Sequence, residues 1–405
     1  MKETFERWKN ISLIKKIILG LIVGVCLGIG VPQWTIISIL GQLFVGALKS
    51  IAPLLVFFIV MSALANHKKG KKTNMGIIAL LYVLSTFTAG LTAVIAIFLF
   101  PVQLTLVESA IDIVPPQGVG EVLKAVLLKT VDNPIDALIQ SNYIGILAWS
   151  VIFGLGFQTS SKEMKASLKS ISEMISIVIE WIISFAPLGV MGLVYEVVAK
   201  DGVSVFLSYG ELLVVLLGTM LVITFIVNPL VSYLLMRENP YPLIWKCLTI
   251  SGVTAFFTRS SAANIPINMQ LCEELGLDED TYSVSIPLGA TINMSGAAIT
   301  ISILTVAAAQ TVGIQIDFLT AVLLSVLATI SACGASGVTG GSLLLIPVSC
   351  SLFGIPNDIA MQVVGIGFII GVLQDACETA LNSSTDVLFT AVAEKYGERK
   401  QKSLS

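Results

Sequence analysis

Three acidic and two neutral polar residues share one face of the last apolar helix. They lie within about 100° of one another around the helix axis and span roughly 16 Å along it. The five residues are Asp375, Glu378, Thr379, Asn382 and Asp386. An ionised carboxylate in hydrocarbon is so costly that it must face a polar cavity and pair with a cation. This stripe therefore predicts a site for cations and a polar solute.

The alternative is that the stripe is the solvated end of a cytoplasmic helix. An apolar segment, 388–393 (LFTAVA), follows Asp386 before the charged tail begins. A solvated helix end would not return to apolar sequence in this way, so the pattern favours an intramembrane site.

A second polar site interrupts residues 247–267 (CLTISGVTAFFTRSSAANIPI). Arg259 and the following SSAANIP stand between two apolar arms of about ten residues, which is too short to cross a bilayer. A re-entrant hairpin with its tip at 259–266 accounts for this pattern, because irregular backbone at membrane depth needs surrounding protein or a water-filled cavity. Arg259 is the only arginine at this depth, and we expect it to pair with Asp375.

Residues 318–357 repeat the arrangement, with an apolar arm, a small-residue tip at 329–337 (TISACGASG) and a second arm containing LLLIP. Each hairpin precedes a helix with a polar centre, as in transporters built from inverted repeats. In the first of these helices, Asn293 and Gly296 lie within TINMSGA and would free backbone carbonyls for a small cation. The alternative reading of this segment is a Ser/Asn/Gly packing seam.

Composition identifies a membrane protein. Of the 405 residues, 55% are hydrophobic and only 12% are charged, and the mean hydropathy is +0.92. A soluble chain carries roughly twice that charged fraction. The net charge of -3 gives no basic surface for nucleic acid. The six cysteines have no CxxC spacing and His67 lies in the charged run HKKGKK, so we expect no disulfide framework, no zinc or haem site and no organic cofactor.

Six apolar segments precede the first hairpin, near residues 13–32, 36–65, 75–100, 137–160, 171–199 and 208–236. Most of the 23 Lys and Arg residues fall on one side if both termini are cytoplasmic, with 103–136 as an external connection. Gly20, Gly24 and Gly28 recur every four residues, a spacing that lets a second helix approach closely. That contact could lie within one chain or between subunits.

Three motifs carry a resemblance to a known family. They are TRSSxxxIP at 258–266, GATINM at 289–294, and Asp375 followed by Asn382 and Asp386. In this order they resemble the dicarboxylate/amino acid:cation symporter family, the glutamate transporter fold, over nearly the whole chain. Within the family, the sequence is most similar to bacterial sodium-coupled serine/threonine transporters.

The resemblance implies an all-α membrane protein with eight transmembrane helices and two re-entrant helical hairpins in inverted repeats. It also implies a homotrimer whose transport domain moves as an elevator along a fixed scaffold. Scaffold helices 1 and 2 would occupy 1–72, helix 3 and the external connection 73–136, and scaffold helices 4 and 5 with helix 6 137–236. The transport core, 237–405, would contain hairpin 1 (241–270), helix 7 (281–311), hairpin 2 (318–352) and helix 8 (357–394).

The resemblance also implies residue roles. Asp375 would hold the substrate amino group, and Asn382 with Ser261 its carboxylate. The full substrate-binding set would be Arg259, Ser260, Ser261, Asp375, Glu378, Thr379 and Asn382. Three sodium sites would be formed by Gly289, Asn293, Asn382 and Asp386; by Thr291, Thr329, Ile330 and Ala332; and by Tyr82, Ser85, Thr86 and Asn293.

Two departures from the family pattern bear on function. Glu378 stands where members that take acidic substrates have arginine, so a fixed negative charge would repel glutamate or aspartate and could accept a hydrogen bond from a hydroxyl. Ser295 replaces an aspartate of the third sodium site, and Ala297 lacks a hydroxyl found in glutamate-transporting relatives. These departures leave the third site and the coupling ratio open.

The resulting prediction is a sodium-coupled importer of serine and threonine in the cytoplasmic membrane. Its partners would be a neutral hydroxy amino acid, the lipid bilayer and two further copies of the chain. The alternative is a proton- or sodium-coupled transporter of other small neutral amino acids or C4-dicarboxylates. An intramembrane enzyme is disfavoured because Asp375 and Asp386 lie roughly 16 Å apart on one helix, and neither HExxH nor GxSxG occurs. A channel or receptor would not accumulate serine against its gradient.

Overall fold

The computed structural model describes residues 13–66, 75–106, 124, 127–333 and 340–404. Within these ranges the secondary structure is helical, without a strand. His67, most of the 103–136 connection and residues 334–337 of the predicted second tip lie outside the described residues. Among the described residues, five helices are long and apolar enough to cross a membrane, or six if one bent pair counts as a span. The chain is therefore a multi-pass membrane protein, and the count of eight spans stays a prediction.

The helices follow the predicted order, and we keep the names helix 1 to helix 8 and hairpins 1 and 2. The segments before hairpin 1 are Leu13–Gly30, Ser38–Ala65, Met75–Leu99, Tyr143–Phe157, Lys162–Ser184 with Ala186–Asp201, and Val205–Val222 continuing to Asn228–Met236. Hairpin 1 comprises 241–258 and Ser261–Glu274, and helix 7 comprises Glu279–Ile292 and Ser295–Thr311. Hairpin 2 comprises Phe318–Ala332 and Leu343–Phe353, and helix 8 is Asn357–Leu404.

Helices 4 and 5 differ from their predicted bounds. Helix 4 was expected over 137–160, but Pro134–Ile139 forms a separate turn of helix, and Ser141, with φ of 55°, precedes the start at Tyr143. Helix 5 was expected over 171–199, but it begins at Lys162 after the Ser161 cap and bends by 51° after Ser184. Proline at the start of its second half cannot continue the hydrogen-bond ladder, which explains the bend.

Hairpin 1 has a shorter tip than the sequence suggested. The tip was predicted over 259–266, but only Arg259, with φ of 51°, and the extended Ser260 separate the two arms. The Ser260 hydroxyl caps the second arm by accepting a hydrogen bond from the Ala263 amide at 3.2 Å. Because this cap starts the helix at Ser261, the serine and asparagine side chains that follow are fixed on a helix face.

The glycine repeat of helix 1 forms an intramolecular seam with helix 5. A Cβ atom at Gly24 would lie 2.6 Å from the Met191 carbonyl oxygen, and one at Gly28 would lie 2.9 Å from the Val198 side chain. Gly20 meets the backbone of Pro187 equally closely. Of the two readings of this repeat, the structure therefore supports packing within one chain.

Helices 7 and 8 form the interior. In the most apolar stretch of helix 7, 94% of residues are buried, and the value for helix 8 is 83%, against 33% for helix 6. Helix 6 leaves large side chains such as Val214, Leu221 and Ile226 exposed for lipid contact. The polar residues of helix 8 are thus enclosed by protein on all sides, which is what positions them as a site.

Candidate functional site

The polar stripe of helix 8 is buried along its whole length. Asp375, Glu378 and Asp386 are 5%, 6% and 0% exposed, and the two neutral members of the stripe are buried as well. Hairpin 1 and helix 7 pack over the stripe, and the second arm of hairpin 2 lies beside it. The carboxylates therefore face a protein interior at membrane depth and do not reach bulk solvent.

Arg259 and Asp375 form the expected ion pair. The arginine Nε donates to Oδ2 of Asp375 at 2.6 Å, and Nη2 lies 3.5 Å from the Gly371 carbonyl oxygen. The second carboxylate oxygen of Asp375 accepts from the backbone amide of Gly340 in hairpin 2 at 3.4 Å. Asp375 thus joins the tip of hairpin 1 to hairpin 2, and its charge is compensated by the guanidinium.

Glu378 is held by three neutral donors, and the described residues contain no ion pair to it. Its Oε2 atom accepts from the Thr300 hydroxyl at 2.8 Å, the Ser342 hydroxyl at 2.9 Å and the Gln374 amide at 2.5 Å. These donors come from helix 7, hairpin 2 and helix 8. Glu378 is therefore held in a fixed position beside the Arg259–Asp375 pair.

Of the other residues predicted to bind substrate, Asn382 and Thr379 lie on this face of helix 8, whereas Ser260 and Ser261 lie at the tip of hairpin 1. The Asn382 side-chain oxygen accepts from the Gly296 amide at 2.7 Å, in the broken centre of helix 7. The Thr379 hydroxyl donates a hydrogen bond to the Asp375 carbonyl oxygen, one turn earlier in the helix, at 2.7 Å. Ser261 is half-buried at the start of the second arm of hairpin 1.

Helix 7 breaks where the sequence predicted freed carbonyls. Its first half ends at Ile292, and Asn293 (φ -90°, ψ 78°) leaves the helical conformation. The Asn293 amide nitrogen donates to Oδ1 of Asp386 at 2.8 Å and to the Asn382 carbonyl oxygen at 3.2 Å. The break ends the regular hydrogen-bond ladder of the first half, whose last backbone bond runs from the Asn293 amide to the Gly289 carbonyl oxygen at 2.9 Å.

Two buried oxygens at this break lack a hydrogen-bond partner among the described residues. They are Oδ2 of Asp386 and Oδ1 of Asn293, and both residues are 0% exposed. Gly289 faces the same carboxylate so closely that a Cβ atom there would lie 2.5 Å from Oδ1 of Asp386. Unpaired buried oxygens are costly, so this arrangement suits a small cation with oxygen ligands.

The residues assigned to a second sodium site lie at two neighbouring helix ends. Thr291 is in the last turn of the first half of helix 7, and Thr329 and Ala332 are in the last turn of the first arm of hairpin 2. The Cys333 thiol, next along the chain, lies 3.6 Å from the Ile292 carbonyl oxygen. The C-terminal ends of two helices thus meet, and the partial negative charge on their carbonyl oxygens favours a cation. The side chain of Ile330 is exposed and carries no ligand atom, so only its carbonyl oxygen is a potential ligand.

The helix 3 residues assigned to a third site contact the broken centre of helix 7. Tyr82 is fully buried and its hydroxyl contacts the Asp386 carbonyl oxygen at 3.1 Å. The Thr86 hydroxyl accepts from the Met294 amide at 3.2 Å, and the Ser85 hydroxyl lies 2.9 Å from that of Ser295. Helix 6 adds Asn228, whose side-chain oxygen lies 3.5 Å from the Ser85 hydroxyl. Ser295 therefore contributes a hydroxyl here in place of a carboxylate.

A further polar cluster was missed by the sequence reasoning. Asn264 and Asn268 of hairpin 1 are both 0% exposed, and their amide nitrogens lie 2.8 and 3.1 Å from the Ser383 hydroxyl of helix 8. The Asn264 amide also reaches the Ser251 hydroxyl in the first arm at 3.0 Å. The signal was the pair of asparagines four residues apart, which places both on one helix face. This cluster fastens both arms of hairpin 1 to helix 8.

The described residues contain no group of three or more His, Cys, Asp or Glu side chains arranged to hold a metal ion. The chemistry on offer is instead that of single carboxylates combined with amide, hydroxyl and carbonyl oxygens. Such oxygen-rich ligand sets suit hard cations rather than transition metals with a preference for nitrogen or sulfur ligands. The arrangement can bind a cation beside a zwitterion.

The model of the sodium:dicarboxylate symporter family matches residues 13–396. The chain belongs to this family. Three proteins named serine/threonine transporter SstT, from Streptococcus agalactiae serotypes III, Ia and V, are each 60% identical over 396 residues. The alignment covers 98% of this chain and 98% of each relative. The family and these relatives are transporters, which agrees with the prediction that the chain is not an enzyme.

Proposed function

We propose that this protein imports serine and threonine by symport with Na+. The observation that carries the proposal is the pair of unpartnered buried oxygens on Asp386 and Asn293 next to the Gly289 backbone. A carboxylate enclosed by protein needs a positive charge, and no Lys or Arg of the described residues pairs with Asp386. A bound Na+ supplies this charge, so sodium is the coupling ion and moves with the solute.

The solute site is the Arg259–Asp375 pair together with Glu378 and Asn382. Asp375 attracts the solute amino group, while Asn382 and the Ser261 region bind its carboxylate. Glu378 adds a second negative charge, which disfavours a dicarboxylate. A neutral hydroxy amino acid fits this charge pattern, and the printed names of the three streptococcal relatives support serine and threonine.

Two further cation sites complete the proposal. The helix ends at Thr291 and at Thr329 to Ala332 form a second sodium site, in which closure of hairpin 2 brings its carbonyls towards helix 7. Tyr82, Ser85 and Thr86 form a third site in which hydroxyls replace a carboxylate. Sodium binding at the second site then links the ordering of hairpin 2 to solute binding, because the cation and the ordered hairpin share the same helix ends.

The transport cycle is an elevator movement of helices 3 and 6 to 8 with both hairpins against a scaffold of helices 1, 2, 4 and 5, in a homotrimer. Both termini lie in the cytoplasm, and the protein resides in the cytoplasmic membrane. Lys49 of helix 2 pairs with Asp358 at the start of helix 8, so the proposed scaffold and transport units are in contact in this structure. The charge distribution supports the orientation.

The test is uptake of radiolabelled serine by purified protein in liposomes, with and without an imposed inward Na+ gradient. We expect accumulation above the external concentration only with the gradient. A potassium gradient of equal size is the ionic control. Equal accumulation with either cation, or equilibration without accumulation, would refute sodium symport. Competition by unlabelled threonine, alanine and succinate distinguishes hydroxy amino acids from the alternative substrates.

A further inference from the structure

The three donors around Glu378 form an unassigned positioning group. Thr300 and Gln374 are both 0% exposed and Ser342 is 1% exposed, so none of the three contacts solvent. Their polar atoms converge on the same carboxylate oxygen, Oε2, within 2.5 to 2.9 Å. Thr300 and Gln374 also contact each other at 2.8 Å, which fixes them as a unit.

Three donors on one oxygen leave the other oxygen distinct. A carboxylate has about four lone-pair positions, two on each oxygen, so three donors at Oε2 leave it no capacity for a further one. None of the hydrogen bonds between described residues ends at Oε1. The Glu378 side chain therefore cannot rotate without losing all three bonds, and one oxygen is kept available as an acceptor.

The position of this oxygen relates to solute recognition. Glu378 is one helical turn from Asp375, where the proposed function places the solute amino group, and also one turn from Asn382. A solute whose amino and carboxylate groups are bound there directs its side chain towards the helix face between them. We infer that Thr300, Ser342 and Gln374 determine selectivity for hydroxy amino acids by fixing Glu378 so that Oε1 accepts the solute hydroxyl. This inference rests on the proposed function, because it assumes the same solute site.

All three donors are neutral, which matters for selectivity. A lysine or arginine in their place would hold Glu378 equally well but would cancel its charge, and the pocket would no longer reject acidic solutes. Neutral donors hold the side chain without adding a positive charge that would attract an acidic solute. A fixed acceptor then discriminates against alanine, which would leave Oε1 buried and without a hydrogen bond.

Ser342 gives the group a second property, because it belongs to hairpin 2. The other two donors lie on helices 7 and 8. The contact between Ser342 and Glu378 exists only while the second arm of hairpin 2 packs against helix 8. Packing of this arm against helix 8 and the orientation of Glu378 are thus linked.

The test compares binding of serine and alanine to purified protein in sodium-containing buffer by titration calorimetry. Thr300→Val is nearly isosteric and removes one donor, and we expect the serine-to-alanine affinity ratio to fall about tenfold while alanine binding changes little. Thr300→Ser keeps the hydroxyl and should retain the ratio. Thr305→Val, five residues further along helix 7 and equally buried, is the matched control and should leave the ratio unchanged.

Ser342→Ala and Gln374→Met provide the second line of evidence, with Ser349→Ala as the control within hairpin 2. Each of the first two should lower the ratio by a similar factor. If serine and alanine affinities fall in parallel, the group only stabilises packing and the inference is wrong. It is also wrong if the wild type binds alanine as well as serine. Loss of sodium-driven accumulation is measured separately in liposomes, so failure of the proposed function is distinguishable from failure of this inference.

Discussion

Replacing Asp386 by Asn removes the charge from the proposed first sodium site and keeps the size of the side chain. Asp386 is 0% exposed, one of its oxygens has no partner among the described residues, and Asn293 is the only side chain that donates to the other. For unit charges about 4 Å apart at an effective dielectric constant of about 20, the attraction is ~4 kcal/mol. Losing it corresponds to about a thousandfold weaker sodium binding.

The assay is the sodium dependence of serine uptake in proteoliposomes. Asp386→Asn should raise the half-saturating Na+ concentration beyond the accessible range and abolish gradient-driven accumulation. Asp358→Asn is the matched control, because it removes a carboxylate from the same helix at an exposed ion pair worth about 0 to 1 kcal/mol. The control should keep wild-type sodium dependence.

Thermal unfolding gives an independent readout of the same site. Sodium at about a hundred times its dissociation constant for the first site should stabilise the wild type by ~2.7 kcal/mol through that site, and this contribution should disappear in Asp386→Asn. Without sodium, the variant should be at least as stable as the wild type, because it no longer buries an uncompensated carboxylate. Wild-type sodium dependence of uptake in the variant would remove Asp386 from the ion site and refute the reasoning.

Three further predictions concern selectivity and stability. Glu378→Arg should shift competition in uptake assays from serine towards aspartate and glutamate, and an unchanged profile would place Glu378 outside the pocket. Asn268→Leu should lower the unfolding free energy by about 2 to 3 kcal/mol, because it leaves buried partners unsatisfied; Gln270→Leu, exposed on the same helix, should change it little, and equal effects would contradict the fastening role. Asp317 caps hairpin 2, and although desolvation opposes this, hydrogen bonds from Thr320 and Leu319 lower its pKa. The cap is worth about 1 kcal/mol relative to alanine and should be strongest near neutral pH, so the melting difference between wild type and Asp317→Ala should shrink as pH falls through that lowered pKa.

The sequence predicted the polar stripe of helix 8 and its ion pair better than the outlines of the helices. Residues at helical spacing in helix 8 share a face whatever their surroundings, so the stripe from Asp375 to Asp386 followed from geometry alone. The pairing of Arg259 with Asp375 followed from charge, because an unpaired membrane-depth arginine is costly. The structure confirms both.

The errors came from searching for apolar runs. The first turns of helix 5, from Lys162, are polar, so hydropathy assigned them to a loop although Ser161 caps a helix there. Conversely, the SAAN sequence after Ser260 looked irregular because it lacks apolar residues, but a single cap was enough to start a helix. Contacts between distant elements, such as Ser383 with Asn268, depend on tertiary packing that one sequence does not reveal.

The pair formed by Lys49 and Asp358 has a consequence for the proposed movement of the transport unit along the scaffold. Both side chains are open to water, at 42% and 61% exposed, so nearby salt screens their attraction, and at physiological ionic strength it extends over only about 8 Å. The resistance to movement between the two units would then depend on the total salt concentration as well as on the concentration of the coupling ion. An inert salt such as choline chloride would weaken this ion pair without binding at the cation or solute site.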